Sequence, residues 1–343
     1  MKILAIDIGA GTQDILLFDS KKKIENCISL VLPTPSKIFA EKLKKIEGDL
    51  YIYGDTIGGG SLSEAILQHM RKGYHVIMEE SAAYSIRNDL DEVRSMGIMV
   101  GGKPESGNFR EFEIEEVDLP FLKSFLTHFG EDLEIDAIAV AVQDHGVSPK
   151  GVSNRFFRFE NMEAMLREDN RPETFHFTED SIPAHYLRMR SAVSAVRRSS
   201  PVPVLVMDTA FSAILGCMQE ATGPCLIVNV GNGHTIAALL IENKIEGLYE
   251  HHTHELTPKK IEADLRLFLQ GKLSRRKVFD ENGHGVVTLR PYEGETLVLV
   301  TGPNRDLFEG TSFKFIYAAP GGNMMMTGPM GLVKAAQYRF GTK

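Results

Sequence analysis

The 343-residue sequence predicts an α/β protein made of two related domains, and three observations carry that prediction. At about 150 residues per domain, the length allows two cores. Residues 3–19, ILAIDIGAGTQDILLFD, run apolar, turn at glycines and run apolar again, and the same plan returns at residues 225–241, CLIVNVGNGHTIAALLI. Asp7, Gly9 and Gly11 recur as Asn229, Gly231 and Gly233, each 222 positions later. Between the copies, stretches of helical spacing alternate with short apolar runs, the pattern of a parallel or mixed sheet covered by helices.

In chain order, the first copy predicts a β-hairpin whose turn glycines take positive φ. Residues 35–46, PSKIFAEKLKKI, read as an amphipathic helix, and residues 49–55, DLYIYGD, as a strand. Residues 61–73 predict a helix with Ser61 as N-cap, Glu64 three residues on and Gly73 as the stop. Gly97–Pro104 fits G-x-x-x-x-G-K, but Pro104 stands where a Mg²⁺-binding hydroxyl is needed, so only a glycine turn is expected. A helix over Leu119–Phe129 precedes the strongest buried-strand run, residues 133–144. Residues 151–200 are polar with helical spacing, and are expected to form an insertion on the first domain beside a cleft. Met207–Met218 predicts a helix, followed by the second hairpin. In residues 256–273, Thr257 and Pro258 occupy the cap and first-turn positions of a further helix. Leu297–Phe308 reads as a buried strand, a turn and a helix, and Gly331–Ala336 as part of a small-residue helix. The expected division is residues 1–222, joined by the C-terminal helix 328–343, against residues 223–327, with a hinge near Thr222–Pro224.

Composition narrows the function classes. With 43% apolar and 24% charged residues, the chain has the make-up of a soluble globular protein. No run of about 18 apolar residues exists to span a membrane. Asp7 comes too early for a secretion signal. The three cysteines, Cys27, Cys217 and Cys225, are too few and scattered for a disulfide framework. A cytoplasmic protein is expected. The net charge of −8 and the lack of a basic stripe argue against nucleic acid as a partner. Oligomeric state stays open.

Several residues point to chemistry. Turn glycines expose backbone N–H groups that can cradle phosphate. Asp7, at the end of the first strand, can hold a divalent cation or its water shell, while Asp14 reads equally as a turn-stabilising carboxylate. Asp208 ends a strand and opens a helix, which suits a cap. Gln143, Asp144 and His145 close the buried strand, at the end where α/β proteins place ligands. In YEHHTHEL, Glu250 to Leu256 with Tyr249, an extended chain puts His252 and His254 on one face and His251 on the other. His252 and His254 with a carboxylate could bind a transition metal such as zinc, or they could contact an anionic substrate, relay a proton, or sit in a solvated loop. Met324–Met326 reads as flexible packing, and Gly321, Gly322 and Asn323 as a turn.

On these motifs the sequence resembles the actin, Hsp70 and sugar-kinase superfamily. DIGAGTQD (Asp7–Asp14, with Gly9, Ala10, Gly11 and Thr12) is similar to its first phosphate loop. VNVGNGHT (Val228–Thr235, with Asn229, Gly231, Asn232, Gly233 and His234) is similar to its second. Met207–Met218 resembles the helix connecting its domains, and Leu297–Phe308 its adenosine motif. The resemblance implies two similar ribonuclease H-like (actin-like ATPase) domains around a nucleotide cleft, with ATP and Mg²⁺ as cofactors. It implies a phosphotransferase or ATPase acting on an unidentified small-molecule or protein substrate. A small-molecule kinase would use Asp208 as base, with Asp7 and Asp144 as further catalytic candidates. Gly302, Pro303 and Asn304 would approach the adenosine, and Gly321 and Gly322 the base or ribose. Asn229 replaces the superfamily's usual aspartate, which favours a non-enzymatic nucleotide-dependent switch as an alternative. A metal-dependent enzyme using His251, His252 and His254 is another. Within that superfamily the sequence resembles a family labelled pyruvate formate-lyase activating-enzyme-like, but lacks the C-x-x-x-C-x-x-C run that a radical enzyme's cluster needs.

Overall fold

A computed structural model describes residues 1–132 and 134–341. Leu133, expected to open a strand run, and Thr342 and Lys343, expected in the last helix, lie outside these residues. The first repeat folds as β1 (Lys2–Ile8) and β2 (Thr12–Asp19), antiparallel, with Asp7 opposite Asp14. β3 (Ile28–Pro33) extends the sheet, and α1 (Pro35–Leu43) follows with the Thr34 hydroxyl accepting from the Lys37 N–H.

The next four strands are a departure from the expected single sheet. β4 (Leu50–Gly54), α2 (Gly60–Arg71), β5 (Val76–Met78), α3 (Glu80–Ala83), α4 (Leu90–Ser95), β6 (Met99–Val100) and β7 (Arg110–Ile114) form a separate parallel sheet, ordered β6-β5-β4-β7. It has its own apolar core, including Phe39, Leu43, Ile52, Ile66 and Phe112. The Gly97–Pro104 stretch thus contains a short strand within its turn. α2 begins at Gly60, without the Ser61 cap expected, because a tertiary partner does that work. The Ser36 hydroxyl of α1 accepts the Leu62 N–H at 3.0 Å. Gly73 ends the helix at a φ of +93°.

α5 (Leu119–His128) leads to β8 (Ala137–Val142), buried at every residue and parallel to β1. Residues 151–200 are not an insertion. They are the crossover that two parallel strands require. α6 (Asn154–Glu168), β9 (His176–Thr178) and α7 (Leu187–Arg197) carry the chain to β10 (Val204–Met207), parallel to β8, with β9 completing the sheet edge. α8 (Thr209–Cys217) then crosses to the second hairpin, β11 (Cys225–Val230) and β12 (His234–Ile241). β13 (Lys244–His252), α9 (Pro258–Leu269, capped by Thr257), α10 (Arg275–Asp280), β14 (Gly285–Thr288), β15 (Leu297–Thr301) and β16 (Phe315–Tyr317) complete the second sheet. The helix expected after β15 is a 3-10 turn, Arg305–Gly310. α11 (Thr327–Phe340) returns to pack on α8, β1 and β8.

The six-stranded sheets are ordered β3-β2-β1-β8-β10-β9 and β14-β13-β12-β11-β15-β16. Each contains a three-strand antiparallel meander followed by two parallel strands, the ribonuclease H-like order, so the protein has two such domains in the actin-like arrangement. The repeat extends into packing. Ile3 and Ala5 face the core shared with α8 and α11 while Leu4, Ile6 and Ile8 face the opposite side. Cys225 and Ile227 against Leu226, Val228 and Val230 split in the same way. Apolar residues on both faces fit strands covered on both sides. Among the described residues, no helix is long and apolar enough to cross a membrane.

Candidate functional site

The two hairpin turns face each other across a cleft between the sheets. In both, the first glycine donates its N–H across the turn, Gly9 to Thr12 O and Gly231 to His234 O, each at 3.0 Å. Contrary to expectation, none of Gly9, Gly11, Gly231 and Gly233 has positive φ. Two are needed for room instead. A Cβ on Gly11 would lie 2.4 Å from Asn232 Nδ2 of the other loop, and one on Gly231 would lie 2.8 Å from His234 O. Gly302 combines both demands, with φ at +97° and an added Cβ 2.4 Å from Val230 O.

Gly9, Ala10, Gly11, Thr12, Asn229, Gly231, Asn232, Gly233, His234, Gly302 and Pro303 line this cleft. Four expected members do not. Thr235 is buried and its hydroxyl bonds Thr253 Oγ1 at 3.0 Å, because alternation on β12 turns it away from the cleft. Asn304 is tied to Gly231 O at 3.0 Å. Gly321 and Gly322 form an exposed turn, with Gly321 beside Ile24, and Met324 and Met325 line the cleft in their place.

Asp7 and Asp14 stand side by side on β1 and β2, and one oxygen of each, Oδ1, is buried without a hydrogen-bond partner. Burial, then the Asp14 and Asp208 charges, push the Asp7 carboxyl well up, with Arg188 opposing. Burial pushes Asp14 up to about 6. Gly328, in the first turn of the 14-residue α11, approaches so closely that a Cβ there would sit 1.8 Å from Asp7 Oδ2.

Asp208 and Asp144 are fully engaged. Asp208 caps α8, accepting the Ala210 N–H at 3.0 Å, and receives Arg158 on both oxygens at 2.7 and 3.0 Å. Burial raises its carboxyl, but Arg158 outweighs that and holds it below the usual range. The same guanidinium bonds both oxygens of Glu250 on β13 at 3.0 and 3.1 Å, so it ties the two domains together. Asp144 accepts the N–H groups of Gly146 (2.8 Å) and Met189 (3.0 Å), and burial leads in raising its carboxyl. Neither carboxylate is free to act as a base in this geometry. A second cavity of about 270 Å³ adjoins the cleft through Gly9, Ala10 and Gln143. It lies between the first sheet and the small parallel sheet, lined by Thr56, Ser61, Asn88, His145 and Arg188 among others.

The histidine cluster differs from the expected one. His251 is buried, its Nδ1–H donating to His252 O of its own strand (3.1 Å), and His254 is 72% exposed beside Glu255. His252 alone of the three packs against His234, a residue of the cleft lining. There it meets residues brought from elsewhere: its ring lies 4.8 Å from His234 and 4.7 Å from His284. Ligand atoms of His145, His234 and His284 all lie within 4.8 Å of one another. The register explains part of this, since His234 pairs with His252 and Glu250 with Gly285. Burial leads in pushing His145 well down, His234 to about 3 and His284 to about 2. His145 and His234 were marked by their motifs, whereas His284 carried no sequence signal beyond preceding a strand glycine.

The three cysteines are free and buried. Burial pushes Cys225 up to about 11 and Cys217 up as well. Among the described residues no three cysteines form a ligand group, so an iron–sulfur cluster does not fit this chain.

No curated protein matches the sequence. Among solved structures, the ethanolamine utilization protein EutJ from Carboxydothermus hydrogenoformans is 10% identical over 97% of this chain and 89% of its own, with a TM-score of 0.35. The activator of the 2-hydroxyisocaproyl-CoA dehydratase from Clostridium difficile, with bound ADPNP, is 9% identical over 100% and 98%, with a TM-score of 0.38. A ROK family glucokinase from Streptomyces griseus, in complex with glucose and AMPPNP, is 11% identical over 98% and 99%, at 0.36. At such scores the fold assignment rests on the strand orders, not on these neighbours. One family, described as "Putative pyruvate format-lyase activating enzyme (DUF1786)", matches residues 57–307, well over half of the sequence, and the chain belongs to that family.

Proposed function

We propose that the cleft binds a nucleoside triphosphate with Mg²⁺ and directs its terminal phosphoryl group toward the adjoining cavity. The observation that carries this reading is the Asp7–Asp14 pair, whose buried, partnerless oxygens face two glycine turns. Two uncompensated carboxylates in one place are costly without a cation, and oxygen donors suit Mg²⁺. Mg²⁺ held there would neutralise charge on the phosphate oxygens. The backbone N–H groups around Gly11 and Gly233 would bind those oxygens, and Lys37, whose Nζ bonds Gly11 O at 2.8 Å, adds positive charge. Gln143, which lines both cavities, would orient the attacking oxygen. The acceptor is then water or a small polar molecule suited to hydroxyl, amide and guanidinium groups. Phosphoryl transfer depends mainly on positioning and charge stabilisation. Asp208, engaged by Arg158, is better suited to anchoring α8 than to the base role implied by resemblance. That engagement favours a second reading, a nucleotide-dependent switch that binds without turnover. The radical activity in the family's description is not proposed, since the cysteines do not fit a cluster.

Calorimetry on the full chain with AMP-PNP and Mg²⁺ tests the reading. Binding is expected, weakened about tenfold or more in Asp7→Asn, a loss of about 1.4 kcal/mol or more. No binding by the unmodified chain, with or without Mg²⁺, would overturn it. Phosphate release or acceptor labelling from ATP separates the enzyme from the switch.

A further inference from the structure

The phosphate reading leaves the imidazole cluster unused. His145 follows β8 in the first domain, while His234 opens β12 and His284 precedes β14 in the second. Their ligand atoms lie within 4.8 Å of one another. Nε2 of His234 and both ring nitrogens of His284 are buried without a hydrogen-bond partner. A buried nitrogen of that kind is costly to leave unsatisfied. Each of the three rings brings one nitrogen to this group, and His234 and His284 both carry buried nitrogens without a partner, which calls for a partner that takes nitrogen lone pairs.

We propose that His145, His234 and His284 together bind one divalent transition-metal ion between the two domains. An all-imidazole donor set selects zinc, cobalt, nickel, copper or ferrous iron over Mg²⁺ or Ca²⁺. Three protein ligands leave a coordination position open, the pattern of a reactive rather than a purely structural site. Because His145 lines the acceptor cavity and His234 the phosphate cleft, that position faces the passage between them. The Gln143 amide nitrogen lies against Nδ1 of His234. Turned over, so that its oxygen accepts, the amide would hold the proton on Nδ1 and aim the Nε2 lone pair at the centre, as hydrogen-bond partners of metal-bound histidines commonly do. His252 stands beside the centre as an outer imidazole, and the exposed His254 takes no part.

The test uses the full chain stripped with a chelator and titrated with Co²⁺ alone, then competed with Zn²⁺. No nucleotide is present, so the result stands apart from the phosphate reading. Visible d–d bands saturating at one Co²⁺ per chain and bleached by Zn²⁺ are expected. His145→Ala and His284→Ala should each lower affinity by more than about tenfold, and His254→Ala should leave it unchanged. Circular dichroism checks that each variant is folded, and His145, from the other domain and only partly buried, provides the variant that does not depend on His284. No d–d bands in the unmodified chain, affinity unchanged in folded His145→Ala, or loss in His254→Ala would each overturn the assignment.

Discussion

Replacing Arg158 with methionine tests the anchoring role of Asp208. The guanidinium is 3% exposed and bonds carboxylates that are 7% and 1% exposed, Asp208 and Glu250, through four N–O contacts of 2.7 to 3.1 Å. Removing one partner of a buried pair costs about 3–5 kcal/mol, because the remaining charge stays in a medium that solvates it poorly. Here two charges lose one partner, so the upper part of that range applies. At about 2–4 °C per kcal/mol for domains of this size, a cost of about 4–5 kcal/mol should lower Tm by roughly 8–20 °C at neutral pH. The acid side adds a sign. In the native chain Asp208 is held below its ordinary range, so its contribution is present above the ordinary carboxylate pKa and fades as pH falls through the depressed value. In Arg158→Met the orphaned Asp208 carboxyl titrates above its unfolded value, because burial then acts on it unopposed by Arg158, so its penalty vanishes as it protonates. The gap in Tm between the two proteins should therefore narrow between neutral pH and about pH 4. Adding Asp208→Asn and Glu250→Gln to Arg158→Met should recover part of the loss. Scanning calorimetry across pH reads all of this. A shift under about 2 °C at neutral pH, or a gap that widens in acid, would refute the argument.

Gly331→Ala sets helix propensity against packing. Propensity favours alanine by about 1 kcal/mol, but the new Cβ would lie 1.8 Å from Ser212 O, where α11 crosses α8. Backbone cannot yield as a side chain can, so urea unfolding should show net destabilisation of about 1–3 kcal/mol, and a stabilised variant would contradict the crossing. Asp7→Asn should raise the Tm of the nucleotide-free protein by relieving its repulsion with Asp14, while removing the stabilisation that Mg²⁺ and nucleotide give. A lower Tm without ligand would mean that the pair is already compensated in the empty cleft.

The hairpins, the cap at Thr257 and the buried β8 were legible because each depends on neighbours in sequence. Thr257 needs only Pro258 and the N–H of Lys260 to act. Features that depend on distant partners were not. Ser61 has the composition of a cap, yet Ser36, 26 residues upstream of Leu62, supplies the acceptor. Gly11 and Gly231 read as turn glycines of positive φ, when the constraint is the approach of Asn232 and His234 O. The small parallel sheet was merged with the first because alternation reports element type and not partner. The histidines illustrate the same limit. Periodicity correctly separated His251 from His252, but nothing local joins His252 to His284 across the β13–β14 pairing or either to His145 across the cleft.

The duplication gains meaning from where its copies differ. At matched positions, Asp7 corresponds to Asn229, Thr12 to His234 and Asp14 to Ile236. The first copy keeps two carboxylates, which are hard donors, and the second gives up both and supplies an imidazole. The repeated turn plan thus presents two donor sets to one cleft, oxygen from one copy and nitrogen from the other. Under the proposed readings their chemistry would separate two cations, since Mg²⁺ prefers oxygen and keeps its waters, whereas imidazole suits the later transition metals. Millimolar Mg²⁺ added to the Co²⁺-loaded chain should therefore leave the visible bands in place. Asp14→Asn should weaken Mg²⁺-dependent nucleotide binding without changing Co²⁺ affinity. Displacement of Co²⁺ by Mg²⁺, or loss of both activities in that one variant, would show that the two copies build a single cation site.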